Sequence, residues 1–89
     1  MSNSQVIYKI LRLLDKYKGD ESFDYELISA SALKLKYAEW EQIICKLQDD
    51  GYIRGLIYTR TLSDEFPRLA EPIHPRITLK GMEFLEENI

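Results

Sequence analysis

The chain opens with apolar residues that recur at helical spacing, which predicts a first helix from about Ser4 to Lys18. Ser4 is expected to cap the free N–H groups of this helix, and Gly19 is expected to stop it. The apolar face is wide, so we expect it to be buried against two other helices together. A second interpretation is that part of this face forms a dimer contact. The residues considered for that contact are Val6, Leu13 and Tyr17.

A second, short helix is predicted from Tyr25 to about Ala32, with Asp24 as its N-terminal cap. Leu27 and Ile28 are its expected core residues. The next three residues, Leu33-Lys34-Leu35, alternate as a short extended segment does, and Leu35 is expected to pair with a later hairpin.

The third helix is predicted from about Tyr37 to Asp50, because an apolar stripe at helical spacing ends at Gly51. The stripe consists of Trp40, Ile43, Ile44 and Leu47. The opposite face then holds Ala38, Gln42, Cys45 and Asp49. Surfaces usually avoid an exposed free thiol, so a covering partner, a rotated helix or a residue without a role would each account for Cys45.

Two strands and a last helix are predicted after Gly51. Ile53 to about Thr61 reads as a strand, residues 62–72 have a loop composition, and Ile73 to Ile77 forms the return strand. Pro75 should keep the return strand short and at a sheet edge. Thr78 should cap the last helix, which points Met82 and Leu85 inward and ends near Asn88. This order predicts an α+β winged helix-turn-helix, with a three-helix core, a β-hairpin wing and a C-terminal helix.

Size and charge narrow the picture further. At 89 residues and 45% hydrophobic, the chain is expected to form a single domain over residues 1–89. We expect a cytoplasmic protein, since we find no signal-peptide pattern and no membrane-spanning apolar run. The formal charge is −3, but residues 53–80 carry five basic and three acidic residues, whereas residues 19–52 carry three basic and eight acidic ones.

With these elements laid out, the chain resembles the YjcQ-like family, small winged-helix proteins of Gram-positive bacteria and their phages. The resemblance is carried by Leu47, Gly51-Tyr52-Ile53 and Gly55, then by Ile77-Thr78-Leu79-Lys80-Gly81 and Phe84-Leu85-Glu86-Glu87-Asn88. It extends from the first helix to the end of the chain. It implies the fold, a similarity to DNA-binding regulators, and no catalytic residues.

Double-stranded DNA is the first partner to consider, because the second helix of such a motif enters the major groove. Here that helix is the third, whose outward face has one lysine and no arginine, although Arg and Lys are the commonest base readers. The hairpin is richer in arginine, and an Arg at a wing tip can enter a narrow minor groove. The candidate DNA-binding residues are Lys34, Lys36, Gln42, Lys46, Arg54, Arg60 and Arg68.

Catalysis is not expected. His74 is the only histidine, stands between Ile73 and Pro75 in the return strand, and has no catalytic motif around it. The acidic residues of the third helix do not form a calcium-loop pattern, and we expect no cofactor, metal or small-molecule ligand.

The sequence therefore favours a non-enzymatic, DNA-associated regulator, encoded by a phage or prophage. The alternative is a protein-interaction or dimerisation module that does not bind DNA. An acidic third helix suits a protein partner, and Phe84 together with the wide face of the first helix would suit a homodimer.

Overall fold

The computed structural model describes residues 3–59 and 68–88, and it has the α+β class expected from the sequence. Its α-helices are α1 (Asn3–Lys16), α2 (Tyr37–Asp49) and α3 (Leu79–Glu87), with a 3₁₀ helix at Tyr25–Ile28. Its strands are β1 (Ile53–Arg54), β2 (Tyr58–Thr59), β3 (Arg68–Leu69) and β4 (Arg76–Ile77). No helix among the described residues is long and apolar enough to cross a membrane.

The ends of α1 only partly follow the sequence prediction. The helix already includes Asn3, so Ser4 lies inside it and is not its cap. Gly19 adopts a φ of +82°, a left-handed conformation that glycine reaches without strain. It lies in the turn after α1, but the helix already ends at Lys16 and not at the predicted Lys18. The buried face of α1 consists of Val6, Ile10, Leu11 and Leu14.

The predicted second helix is a single 3₁₀ turn and does not reach Ala32. Asp24 caps it as expected, since its carboxylate accepts a hydrogen bond from the Glu26 N–H at 3.0 Å. Ile28 is fully buried, whereas Leu27 is 44% exposed and was wrongly placed in the core. A four-residue turn of this kind presents too narrow a face to bury both neighbours.

The segment Leu33-Lys34-Leu35 is a turn and not the predicted extended piece. Lys34 adopts a φ of +58°, which reverses the chain before α2. The Leu35 N–H donates to the Ala30 carbonyl at 2.9 Å, so the expected pairing of Leu35 with the hairpin is also wrong.

β1 to β4 form one ribbon of two nested antiparallel pairs, called the ribbon below. The outer pair aligns Ile53 with Ile77 and Arg54 with Arg76, and the inner pair aligns Tyr58 with Leu69 and Thr59 with Arg68. The predicted strand from Ile53 is thus broken over residues 55–57, the return strand begins at Arg76, and β3 lies in a predicted loop. The break coincides with Gly55, whose φ of +100° would strain any other residue and where an added Cβ would lie only 3.0 Å from the His74 carbonyl oxygen.

The two sequence motifs after α2 meet in one structural junction. Thr78 caps α3 as predicted: its hydroxyl accepts from the Gly81 N–H at 3.1 Å and donates to the Gly51 carbonyl at 2.5 Å. The Thr78 N–H donates to the Tyr52 carbonyl at 3.1 Å. A Cβ at Gly81 would overlap that same carbonyl and lie 2.7 Å from Cγ1 of Ile77. The motifs therefore fix α3 on the end of α2 and on the ribbon.

Trp40 lies at the centre of the core, as its place in the apolar stripe predicts. Its side chain is 2% exposed, and Nε1 donates to the Ile28 carbonyl at 2.8 Å. The buried cluster draws on α1, α2, α3 and the ribbon, so a single core organises the described residues.

Candidate nucleic-acid interface

The ribbon displays three exposed arginines. Arg54 and Arg76 are direct cross-strand partners, so their side chains share one face of the ribbon, and Arg68 lies further out, opposite Thr59. Within residues 3–59 and 68–88, none of the three forms an ion pair with a carboxylate. Like charges placed directly opposite each other destabilise a strand pair. The ribbon thus presents a positive surface that the described part of the protein leaves uncompensated. Arg76 was not among the predicted residues, and only the strand register reveals it.

The other predicted DNA-binding residues lie in the turn before α2, on α2 itself, or outside the described residues. Lys34 and Lys36 are exposed in the turn that leads into α2, and Lys36 occupies the N-cap position of α2 without a side-chain capping bond. Gln42 and Lys46 are exposed on α2. Arg60 lies outside the described residues.

One flank of α2 is covered by the ribbon through polar contacts. The Glu41 carboxylate accepts from the Leu69 N–H at 3.0 Å. Gln48 makes two bonds to Leu56, accepting from its N–H at 2.7 Å and donating to its carbonyl at 3.0 Å. The Gln48 bonds satisfy backbone groups where the ribbon is interrupted, so they position the ribbon on α2.

Because the ribbon covers this flank of α2, the predicted outward position of Cys45 is wrong. The thiol side chain is fully buried and not outward-facing. The Tyr58 hydroxyl of the ribbon donates to the Cys45 carbonyl at 3.3 Å and to the Asp49 carboxylate. Apolar periodicity locates the face of α2 that meets α1, but it does not register a second flank built from Glu41 and Gln48.

The acidic residues of α2 are partly engaged by the protein itself. Lys46 forms an ion pair with Asp50 at 3.2 Å, and Asp49 and Glu41 accept hydrogen bonds from the ribbon. Lys46 is therefore less available to a phosphate than its sequence position suggests. Gln42 remains the exposed candidate on α2 that can donate and accept hydrogen bonds at a base edge.

A cleft of about 750 Å³ lies between the C-terminal end of α1, the segment before the 3₁₀ helix, and the ribbon. Its aromatic rings form a chain: Tyr17 stacks on Phe23 at 5.2 Å, Phe23 meets Tyr25 at 4.9 Å, and Tyr25 meets His74 at 5.1 Å between centroids. Arg54 and Arg76 line the same cleft. Sequence reasoning did not find this site, because its members come from three separate segments.

The cleft also carries a negative charge, on the carboxylate of Asp20. Asp20 accepts hydrogen bonds from the hydroxyl of Ser22 at 2.6 Å and from its N–H at 2.8 Å. These bonds lower the pKa of Asp20 below its ordinary value, which favours the carboxylate form that an aspartate already has at neutral pH. An anionic ligand would therefore approach from the arginine side.

His74 is exposed and lies before β4, between half-buried Ile73 and buried Pro75, and not in a strand. Its ring is held edge-on to Tyr25. Within the described ranges, no three His, Cys, Asp or Glu side chains are arranged to hold a metal ion.

The predicted dimer contact loses one of its members. Val6 has no exposed surface, because the core covers it, and it is therefore not available to a second copy. Leu13 and Phe84 are half-buried against the core, and Phe84 also lies 5.2 Å from Tyr52 between ring centroids. Tyr17 is half-buried and stacks on Phe23. A dimer contact through these three residues stays a prediction.

Comparison with known proteins identifies the family. The family model described as YjcQ protein matches residues 8–89, which is nearly the whole chain. No curated protein and no solved structure matches it.

Proposed function

The chain belongs to the YjcQ family, and for this member we propose a non-enzymatic role as a winged helix-turn-helix protein that associates with double-stranded DNA. In this proposal α2 is the recognition helix and the ribbon is the wing. The proposed biological role is transcriptional regulation, in a phage or prophage. The order of three α-helices with an antiparallel ribbon between α2 and α3 supports this assignment.

The observation that carries the proposal is the positive charge of the ribbon, which no ion pair within residues 3–59 and 68–88 compensates. Arg68 is exposed and lies in the strand opposite Thr59, the residue that precedes Arg60. Guanidinium groups pair well with phosphate oxygens, and phosphate contacts supply most of the sequence-independent affinity for DNA. The grip on DNA is therefore assigned to the ribbon, and α2 contributes a weaker reading of bases through Gln42.

The role of α2 is tested by fluorescence anisotropy with random and candidate operator duplexes at low and moderate salt. Gln42→Ala should change the preference among duplexes while leaving the average affinity nearly unchanged, because an amide reads bases but adds no charge. Glu39→Ala, an exposed change on the same helix, should instead strengthen binding to all duplexes about equally. A Gln42→Ala protein with an unchanged preference would remove α2 from base recognition.

Protein interaction is the second candidate, and exposed apolar side chains favour it. Ile57 is 73% exposed and Leu79 is 70% exposed, so both side chains are accessible to a partner protein. If no duplex binds at low salt, a pull-down from host extract should recover a partner protein. Ile57→Ser and Leu79→Ser are the comparison variants, and recovery of the partner should be lost in at least one of them.

A further inference from the structure

The arginine pair and the aromatic chain occur in one cleft, and this combination has a chemical meaning that duplex binding does not use. Phosphate oxygens accept paired hydrogen bonds from guanidinium groups. Nucleobases stack on aromatic side chains, and this stacking tolerates any base. A ligand that carries both groups a short distance apart is a nucleotide.

We propose that the cleft between α1, the 3₁₀ helix and the ribbon binds one nucleotide unit, with its phosphate on Arg54 and Arg76 and its base against the aromatic chain. The chain Tyr17–Phe23–Tyr25–His74 has three successive centroid separations of 5.2, 4.9 and 5.1 Å, and it connects the end of α1 to the ribbon. The volume, about 750 Å³, is within the usual range of small-ligand sites.

The electrostatics of the cleft orient the ligand. Arg54 and Arg76 share a face of the β1–β4 pair without an ion-pair partner among the described residues, so an anion between them relieves their mutual repulsion. Asp20 and Glu21 also line the cleft and would repel a phosphate, and Lys18, which lines it too, is paired with Asp15 at 3.0 Å. The phosphate therefore lies at the ribbon, and the base lies toward α1, where the carboxylates can accept hydrogen bonds from exocyclic amino groups.

Two sources offer this chemistry: a free nucleotide, or one unpaired nucleotide of a single strand. Both would be measured by NMR titration of the isotope-labelled full chain, with adenosine 5′-monophosphate and a short single-stranded oligonucleotide as probes. Adenosine and inorganic phosphate serve as part-ligands. We expect amide shifts at residues 17–25, 54 and 74–76, and at least about tenfold weaker binding of either part-ligand than of the nucleotide.

Matched variants separate this site from the duplex-binding surface. Arg76→Gln should weaken the nucleotide at least about tenfold, by loss of a charge-assisted bond. Arg68→Gln, an equal charge change further along the ribbon, should leave nucleotide binding unchanged while it weakens duplex binding. Tyr25→Leu should weaken the nucleotide but not the phosphate, and its amide spectrum would verify that the fold persists.

Each outcome of the titrations either supports or overturns the nucleotide-site proposal. Tighter binding of the oligonucleotide than of the monophosphate, at the same residues, identifies a single strand as the source, and the reverse identifies a free nucleotide. The proposal would be overturned if inorganic phosphate bound as tightly as the nucleotide, or if millimolar nucleotide caused no shifts at the cleft residues. A phosphotyrosine peptide, which also carries a phosphate and an aromatic ring, would overturn it by binding more tightly than the nucleotide. Arg68→Gln is expected to affect only duplex binding. A failure of the nucleotide-site proposal is therefore distinguishable from a failure of the proposed DNA association.

Discussion

Trp40 is the side chain on which the position of α2 depends most directly. It fills the core and also satisfies a buried carbonyl of the 3₁₀ helix. Trp40→Ala should lower the free energy of unfolding by ~3–5 kcal/mol, from lost burial and the cavity left behind. The measurement is urea denaturation followed by far-ultraviolet circular dichroism, since the variant lacks the only tryptophan.

A domain of this size has little stability to lose, so a milder variant is needed beside it. Trp40→Phe keeps a ring in the core but leaves the Ile28 carbonyl without its donor, and it should lose about 1–3 kcal/mol. An Ala variant that unfolds at the same urea concentration as the natural chain would contradict the central position of Trp40.

Gly81 is a residue whose necessity comes from packing and not from backbone conformation. Alanine favours a helix over glycine by about 1 kcal/mol, yet Gly81→Ala should destabilise the protein by ~1–3 kcal/mol, because its Cβ would meet the Tyr52 carbonyl and Ile77. Thermal unfolding of Gly81→Ala beside Glu83→Ala, an exposed change in the same helix, gives the comparison. A higher melting temperature for Gly81→Ala would show that propensity outweighs the overlap.

At the scale of elements, the helices and the ribbon were predictable to different degrees. Periodicity located α1, α2 and α3 within a few residues, and side-chain chemistry identified the caps at Asp24 and Thr78, because both signals are local. The ribbon's nested pairing depends on contacts between residues far apart in the chain. The buried flank of α2 was missed for the same reason: polar Gln48 and Glu41 mark it, and apolar patterning does not register them.

The candidate site, like the fold, was predictable from the sequence only in part. Exposed basic residues such as Lys34, Lys36 and Arg54 can be picked from charge alone, and the structure leaves them exposed. The opposition of Arg54 and Arg76, and the meeting of Phe23, Tyr25 and His74, require the ribbon register and the turn after α1. No sequence spacing indicates either arrangement.

The link between α2 and the ribbon can be tested at Gln48. Gln48→Ala removes both bonds to Leu56, so we expect a loss of about 1–3 kcal/mol and faster amide exchange at residues 56–58 and 69–70. Gln42→Ala, an exposed change on the same helix, should alter neither. Unchanged exchange in the Gln48 variant would show that other contacts hold the ribbon in place.

At the scale of the whole molecule, positive charge on the ribbon is set against a net charge of −3. An acidic protein gains little from non-specific attraction to DNA, so its affinity should be weak and depend on a few arginines. Salt should weaken it in proportion to the number of phosphates contacted. The central claim is that these contacts come from the ribbon.

Comparison of two double variants tests this claim most directly, by fluorescence anisotropy over a salt series with several duplexes. Arg60→Ala with Arg68→Ala removes the charge of Arg68 on the ribbon and that of Arg60, which follows β2 in the sequence. Lys9→Ala with Arg12→Ala removes two exposed charges from α1. The ribbon variant should lose affinity for every duplex about equally, and its log–log salt slope should fall by about 0.9 for each lost phosphate contact. The α1 variant should keep the natural slope. Equal losses in the two variants, or no binding by the natural chain at low salt, would contradict the claim.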